Sequence, residues 1–389
     1  MSKTVLVSIY AHPEGYPPTL NCIEQLSGFY ENVILLGRNV QRKAWNYPEN
    51  CEVFFSSQYI DGRQADNKSL VRKIIFFINF LKLLLTKAIK NKPELILVYD
   101  PMALFAYSLI RKFLNFPHRV WYHNHDVLNL TDVRKFSVQW WAGKYEGIAF
   151  KWLDIFSLPS EERKQHFPIN KLKGKYFLIP NFPSRSFLGK FYKSKEIKNI
   201  IKIIYQGAIA EGHGFEEIMS ILNHSINGKS LELTLIGIIH KPYREHLNAL
   251  AIKYNCLDKF KIEPFKPYKE LPAITAVHHI GIGIYALNSN FHLSLGKASN
   301  KIYEYACLGL PILVYDNNHY REHIGMYPWV KFTDLSQRSL IECIQSIVEN
   351  YEILSKKAHG DFNAQLNFEV QFDEVKQYLN QLPSLHSVK

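Results

Sequence analysis

The chain has 389 residues, more than one ordinary domain holds, so two domains of similar size are expected. Its 47% hydrophobic and 21% charged residues exclude a disordered or fibrous chain. A formal charge of +12 favours anionic company, either phosphorylated ligands or a membrane surface, while nucleic acid is set aside for want of zinc-finger spacing, an aromatic-basic sheet signature or a basic region joined to heptads.

The first half alternates short apolar runs with helical stretches. Val5–Tyr10 reads as a strand, followed by a Pro/Gly loop from His12 to Pro18 and a helix. Val33–Leu36, Leu95–Tyr99, Arg119–Tyr122, Ile155–Leu158 and Tyr176–Ile179 are further strands, with a helix over Met102–Phe113. Apolar strands of this length between helices imply a parallel sheet covered on both faces. The pattern stops near Pro180–Pro183, and the lysine-rich passage Gly189–Asn199 suits a linker.

Alternation then restarts. Strands are expected at Ile201–Tyr205, Leu231–Ile236, Phe260–Ile262, His279–Tyr285 and Ile312–Tyr315, with helices at Gly214–Leu222, Tyr243–Tyr254 and Asn300–Leu308. Leu340–Lys357 and Phe362–Leu382 read as closing helices with no strand after them. Two βαβ series predict two doubly wound α/β domains, 1–184 and 185–364, each with its ligand crevice at the carboxyl ends of the strands. One arrangement open to residues 365–389 is a helix crossing back onto the first domain.

The segment Ser299–Pro311 (SNKIYEYACLGLP) carries the functional argument. Ser299 is a good N-cap, and Gly309 with Pro311 a good stop. The backbone N–H groups of Asn300 and its neighbours, with Lys301 in the first turn, suit a phosphate or diphosphate. Glu304 falls one turn on, on the same face, where a carboxylate can accept from the vicinal hydroxyls of a ribose. The bland alternative is a surface helix with a Lys301–Glu304 salt bridge of little consequence.

This segment resembles the donor-binding helix of GT-B glycosyltransferases, of the retaining family-four type. Tyr205–Ile209 with Glu211-Gly212-His213-Gly214 resembles the first strand and phosphate loop of that family's second domain, and His279–Tyr285 the strand before its donor loop. Trp121–Asp126 (WYHNHD), Ser157–Glu161 and Ile179–Asn181 resemble strand ends of the first domain. The resemblance implies two Rossmann-like domains facing each other across a cleft, with donor-binding residues Gly207, His213, Gly214, Tyr285, Ser299, Asn300, Lys301 and Glu304. It places His125, with Asp126 beside it, near the sugar and diphosphate. It also implies a nucleoside-diphosphate sugar as co-substrate, no other cofactor and no metal. Two departures stand out: Gly296 occupies the place of a first glutamate, separated from Glu304 by seven residues, and His213 that of an arginine or lysine. Neutral imidazole stabilises a leaving diphosphate less than a permanent cation does.

His12 lies in the first strand-to-helix loop, on the expected acceptor side, either as a general base or as an ordinary polar loop residue. His123 and His125 share one side of a strand, but no third metal ligand is identifiable nearby. Residues 68–92 form a nearly all-apolar helix with basic ends, either a buried helix of the first domain or one lying in a membrane interface. No stretch is long and apolar enough to span a membrane, and the five scattered cysteines suit a reducing compartment. The expectation is a cytoplasmic hexosyltransferase, open to the inner membrane face, that moves a sugar to a glycan or lipid-linked acceptor. The rivals are a nucleotide-sugar epimerase of similar architecture and a non-catalytic binding partner in a glycan assembly complex.

Overall fold

The computed structural model describes residues 3–40, 45–62, 64, 68–285, 298–383 and 385. The chain divides into two compact units, Met1–Pro180 with Gln371–Lys389, and Asn181–Val370.

The first unit contains β1 (Thr4–Ile9), α1 (Pro17–Ser27), β2 (Asn32–Gly37), β3 (Cys51–Phe55), α2 (Leu70–Asn91), β4 (Leu95–Tyr99), α3 (Asp100–Ile110), β5 (Arg119–His123), α4 (Val138–Ala149), β6 (Ile155–Leu158) and β7 (Lys175–Leu178). Its seven strands lie in the order β3-β2-β1-β4-β5-β6-β7. Every pairing is parallel. Strands such as Leu95–Tyr99 are buried throughout because helices cover both faces, which is why they read as unbroken apolar runs.

The second unit contains α5 (Arg185–Leu188), β8 (Ile200–Gln206), α6 (Phe215–Ser220), β9 (Ser230–Ile236), α7 (Lys241–Lys253), β10 (Phe260–Glu263), α8 (Leu271–Thr275), β11 (Ile280–Ile282), α9 (Asn300–Cys307), β12 (Ile312–Tyr315), α10 (Asn318–Ile324), β13 (Val330–Thr333), α11 (Gln337–Glu349) and α12 (Tyr351–Ala364). Its sheet runs β10-β9-β8-β11-β12-β13, again parallel. The last helix, α13 (Phe368–Gln381), begins in this unit and continues in the first.

In both sheets the strand order reverses beside the first strand of the series, between β1 and β4 and between β8 and β11. Ligand crevices of doubly wound sheets open at such points, beyond the carboxyl ends of the strands. Gly281 shapes the second one. A Cβ there would lie 2.3 Å from the Tyr305 ring, so glycine lets α9 press against β11. Tyr305 then reaches across, its hydroxyl accepting from the Gln206 N–H at 3.0 Å.

The structure adds two strands to those expected, β3 and β13, and both are sheet edges. The single helix expected over 362–382 is two. Asn367 makes the break: its amide donates to the Phe362 carbonyl at 2.8 Å, and its side-chain oxygen accepts from the Val370 N–H at 3.1 Å.

Candidate functional site

The second unit gathers most of the expected donor residues at the carboxyl end of β8 and the tip of α9. Ser299 caps α9, its hydroxyl accepting from the Ile302 N–H at 3.4 Å, and Tyr285 hydrogen-bonds the same hydroxyl. Asn300 follows at the first helical position, and its buried side-chain oxygen has no partner among the described residues. Lys301 points at Tyr205, donating to its hydroxyl at 2.8 Å. Its Nζ lies 4.0 Å from the centre of the Tyr205 ring and 4.5 Å from that of Tyr285. Enclosure between two aromatic rings removes water from the ammonium. Burial therefore pulls its pKa down to about 7, although Glu304 opposes the shift.

Gly207 makes room for this arrangement. Its φ is +137°, and a Cβ would stand 3.4 Å from Lys301 Nζ and 3.5 Å from the Tyr205 hydroxyl. His213 closes another side of the group. Its ring stacks on Phe215, with centroids 5.6 Å apart, and meets Tyr205 edge-on at 5.3 Å. Its Nδ1–H donates to the Ala210 carbonyl at 2.9 Å, so only the protonated ring could also donate from Nε2. Gly214 stands slightly apart as the left-handed N-cap of α6, with a φ of +74°.

Glu304 lies one turn below Lys301 and is 5% exposed. The surface salt bridge is therefore not what this helix carries. Gln206 Nε2 hydrogen-bonds the carboxylate, with Tyr268 beside it, while the Thr275 hydroxyl donates to Gln206 Oε1 at 2.6 Å. Burial lifts the carboxyl to about 7, against the pull of Gln206, Tyr268 and Lys301. Tyr205 and Gln206 lie in the strand end already marked by its resemblance, without a role of their own, while Tyr268 and Thr275 were not anticipated from sequence. Beside Gly207 an apolar cavity of about 180 Å³ is walled by Ile236, Ile238, Phe265 and Leu271. Gly296 and most of the loop 288–298 lie outside the described residues.

In the first unit, His125 sits just beyond β5 and is held at both ring nitrogens. Asp100 accepts from its backbone N–H at 2.8 Å and from Nδ1 at 3.1 Å, and Thr19 Oγ1 lies 3.1 Å from Nε2. The ring stacks on Tyr99, with centroids 4.6 Å apart. Asp100 holds this grip with a φ of +64°. Asp126 projects outward, 3.8 Å from Arg163. His123 turns to Ser157 instead, 2.8 Å from its hydroxyl, and burial depresses its pKa well below the ordinary histidine value. His12 caps the short turn Pro13–Gly15, its Nδ1 accepting from the Glu14 N–H at 3.3 Å. That bond leaves the proton of the neutral ring on Nε2, so His12 is a donor, not a base, in this state.

No family model matches the chain, and no curated protein does. Solved structures do. A glycosyltransferase from Rickettsia africae superposes with a TM-score of 0.70 at 13% identity, covering all of both chains. The chain has the fold of a GT-B glycosyltransferase. Sucrose-phosphate synthase from Thermosynechococcus elongatus matches with a TM-score of 0.67 at 13% identity, covering 97% of this chain and 99% of that one. HepE from Anabaena, in complex with UDP and glucose, matches with a TM-score of 0.67 at 12% identity, covering 97% of this chain and all of its own.

Proposed function

We propose that the chain is a glycosyltransferase that binds a nucleoside-diphosphate sugar in its second unit and transfers the sugar to a hydroxyl of a glycan or lipid-linked acceptor in cell-surface polysaccharide synthesis. The observation that carries this reading is the pairing of half-buried Lys301 with buried Glu304, one turn apart at the strand-order reversal. A half-buried, partly neutral lysine in the first turn of a helix is suited to an anionic ligand that restores its charge. HepE, of the same fold, binds UDP and glucose, which supports a uridine diphosphate sugar here.

In this reading Lys301, the first N–H groups of α9 and the Gly207–Gly214 loop face the diphosphate and stabilise charge as it departs. His213 joins them when protonated. Glu304 accepts from the ribose hydroxyls, and the apolar cavity beside Gly207 takes the flat base. The first unit takes the acceptor side, with His125 held by Asp100 and with His12 and Asp126 nearby along the strand ends. In a retaining transfer the donor phosphate takes the acceptor's proton, which fits a His12 that already carries its proton on Nε2. The enzyme needs no resident cofactor on this account.

The chain has no helix among its described residues long and apolar enough to cross a membrane. Helix α2 nonetheless leaves Val71, Ile74, Ile75 and Ile78 exposed, with Arg72 and Lys82 beside them. This supports peripheral contact of residues 68–92 with the inner face of a membrane, from a cytoplasmic position.

Thermal shift against a set of nucleotide sugars, followed by transfer assays with lipid-linked acceptors, tests the proposal. Stabilisation by one sugar nucleotide and acceptor-dependent release of its nucleotide are expected. Conversion of the donor to a new sugar nucleotide without acceptor would instead establish the epimerase.

A further inference from the structure

The first unit contains a second cavity, of about 470 Å³, that the donor chemistry does not use. It opens at the reversal point of the first sheet. Tyr10 follows β1 directly, Arg38 follows β2, and Met102 lies in the first turn after β4. The remaining walls come from residues 68–76, at the start of α2, and from 132–139, leading into α4.

Two properties of its lining are unusual together. Four cationic side chains face it, Arg38, Lys68, Lys73 and Arg134, against one carboxylate, Asp132. None of the four is in an ion pair among the described residues. Asp132 is already held by Asn129 and Thr131, each at 3.0 Å, so it is engaged elsewhere. Arg38 is fixed over the Tyr10 ring, 4.8 Å from its centre. Lys68, Arg72 and Lys73 also crowd the N-terminus of a 22-residue helix whose first turn has no acidic residue. The helix dipole favours anions there and opposes cations, so this placement is locally unfavourable. A bound anion would relieve it.

The other property is apolar. Leu70, Phe76 and Met102 share the lining. Leu70 is itself exposed, and the stripe Val71, Ile74, Ile75 and Ile78 runs onward along α2, also exposed among the described residues. Charge and apolar surface in one lining match an amphiphile with an anionic head.

We infer that this cavity binds the phosphate of a phosphorylated amphiphile, with the head among Arg38, Lys73 and Arg134 and the apolar chain leaving along the exposed face of α2. The inference rests on reading the first unit as the acceptor side, and it narrows the acceptor class to sugars carried on a lipid phosphate. Recognition is by charge and apolar contact together. Neither a free phosphate nor a neutral amphiphile satisfies both.

Isothermal titration of the full chain with dodecyl phosphate, inorganic phosphate and dodecyl maltoside tests it. Dodecyl phosphate is expected to bind at least about tenfold more tightly than either control, with affinity falling as salt rises. The double variant Lys73→Gln, Arg134→Gln removes two exposed charges and is expected to lose about tenfold in that affinity, while its thermal shift with UDP stays as in the wild type. Equal binding of inorganic phosphate, equal binding of the maltoside, or an unchanged double variant would each overturn the inference. If UDP failed to shift the wild type while dodecyl phosphate still bound selectively, the donor reading would fall and this site would stand. A retained UDP shift without selectivity would do the reverse.

Discussion

Binding of a nucleotide sugar is expected to draw a proton onto Lys301. In the free protein, burial between Tyr205 and Tyr285 holds its pKa near 7, with Glu304 the opposing influence. A diphosphate at the tip of α9 places negative charge beside the ammonium and raises that pKa toward or beyond the ordinary lysine value. The diphosphate of a nucleotide sugar is a diester and does not itself titrate in this range. Between about pH 7 and 10 the complex therefore binds more protons than the free protein, and affinity falls as pH rises, by up to about tenfold per unit. Titration calorimetry with UDP-glucose at pH 8, in phosphate and in Tris, measures the proton count from the difference in heats. Uptake close to one proton is expected, and none in Lys301→Arg, whose guanidinium stays charged throughout. An affinity flat from pH 7 to 9, or binding without proton uptake, would refute the placement of the diphosphate against Lys301.

Substitutions at three other positions carry further predictions. Burial raises the Glu304 carboxyl from 4.5 to about 7, so stability falls as pH rises through that window and stays reduced above it. Glu304→Gln is accordingly expected to raise the melting temperature by a few degrees at pH 8 and to change it little at pH 5, in scanning calorimetry. Asp100→Ala removes two hydrogen bonds to His125 and leaves alanine at a φ of +64°, and is expected to cost about 3 kcal/mol in urea unfolding. Asp100→Asn, which tolerates that backbone and keeps one acceptor, is expected to cost about half as much. Gly207→Ala sets a methyl against Lys301 and Tyr205 at a φ of +137°, and is expected to lower donor affinity by about tenfold and stability by about 1–2 kcal/mol.

The central strands were legible because burial on both faces writes them as unbroken apolar runs. The two that escaped, Cys51–Phe55 and Val330–Thr333, are edge strands with partly exposed side chains, which weakens the apolar signal. The pairing of Lys301 with Glu304 was legible because both belong to one helix, where spacing fixes the face. Their partners were not. Gln206 and Tyr205 come from a strand about a hundred residues away, and Tyr268 from a short turn with no motif of its own. Asp100 was hidden for a different reason. Its role depends on a left-handed backbone that no neighbouring residue signals, although its place at the end of an apolar strand marks it as a site position. His12 illustrates the opposite limit, since its loop position left a base and an ordinary polar residue both open and only the hydrogen bond from Glu14 shows where its proton sits.

The most direct measurement is UDP-sugar binding to the wild type and to Glu304→Ala, by calorimetry with thermal melts of both proteins alongside. Binding by the wild type and loss of most of that affinity in a variant that still melts cooperatively are predicted. A wild type that ignores every nucleoside diphosphate, or a Glu304→Ala protein that binds as tightly as its parent, would contradict a donor site at α9.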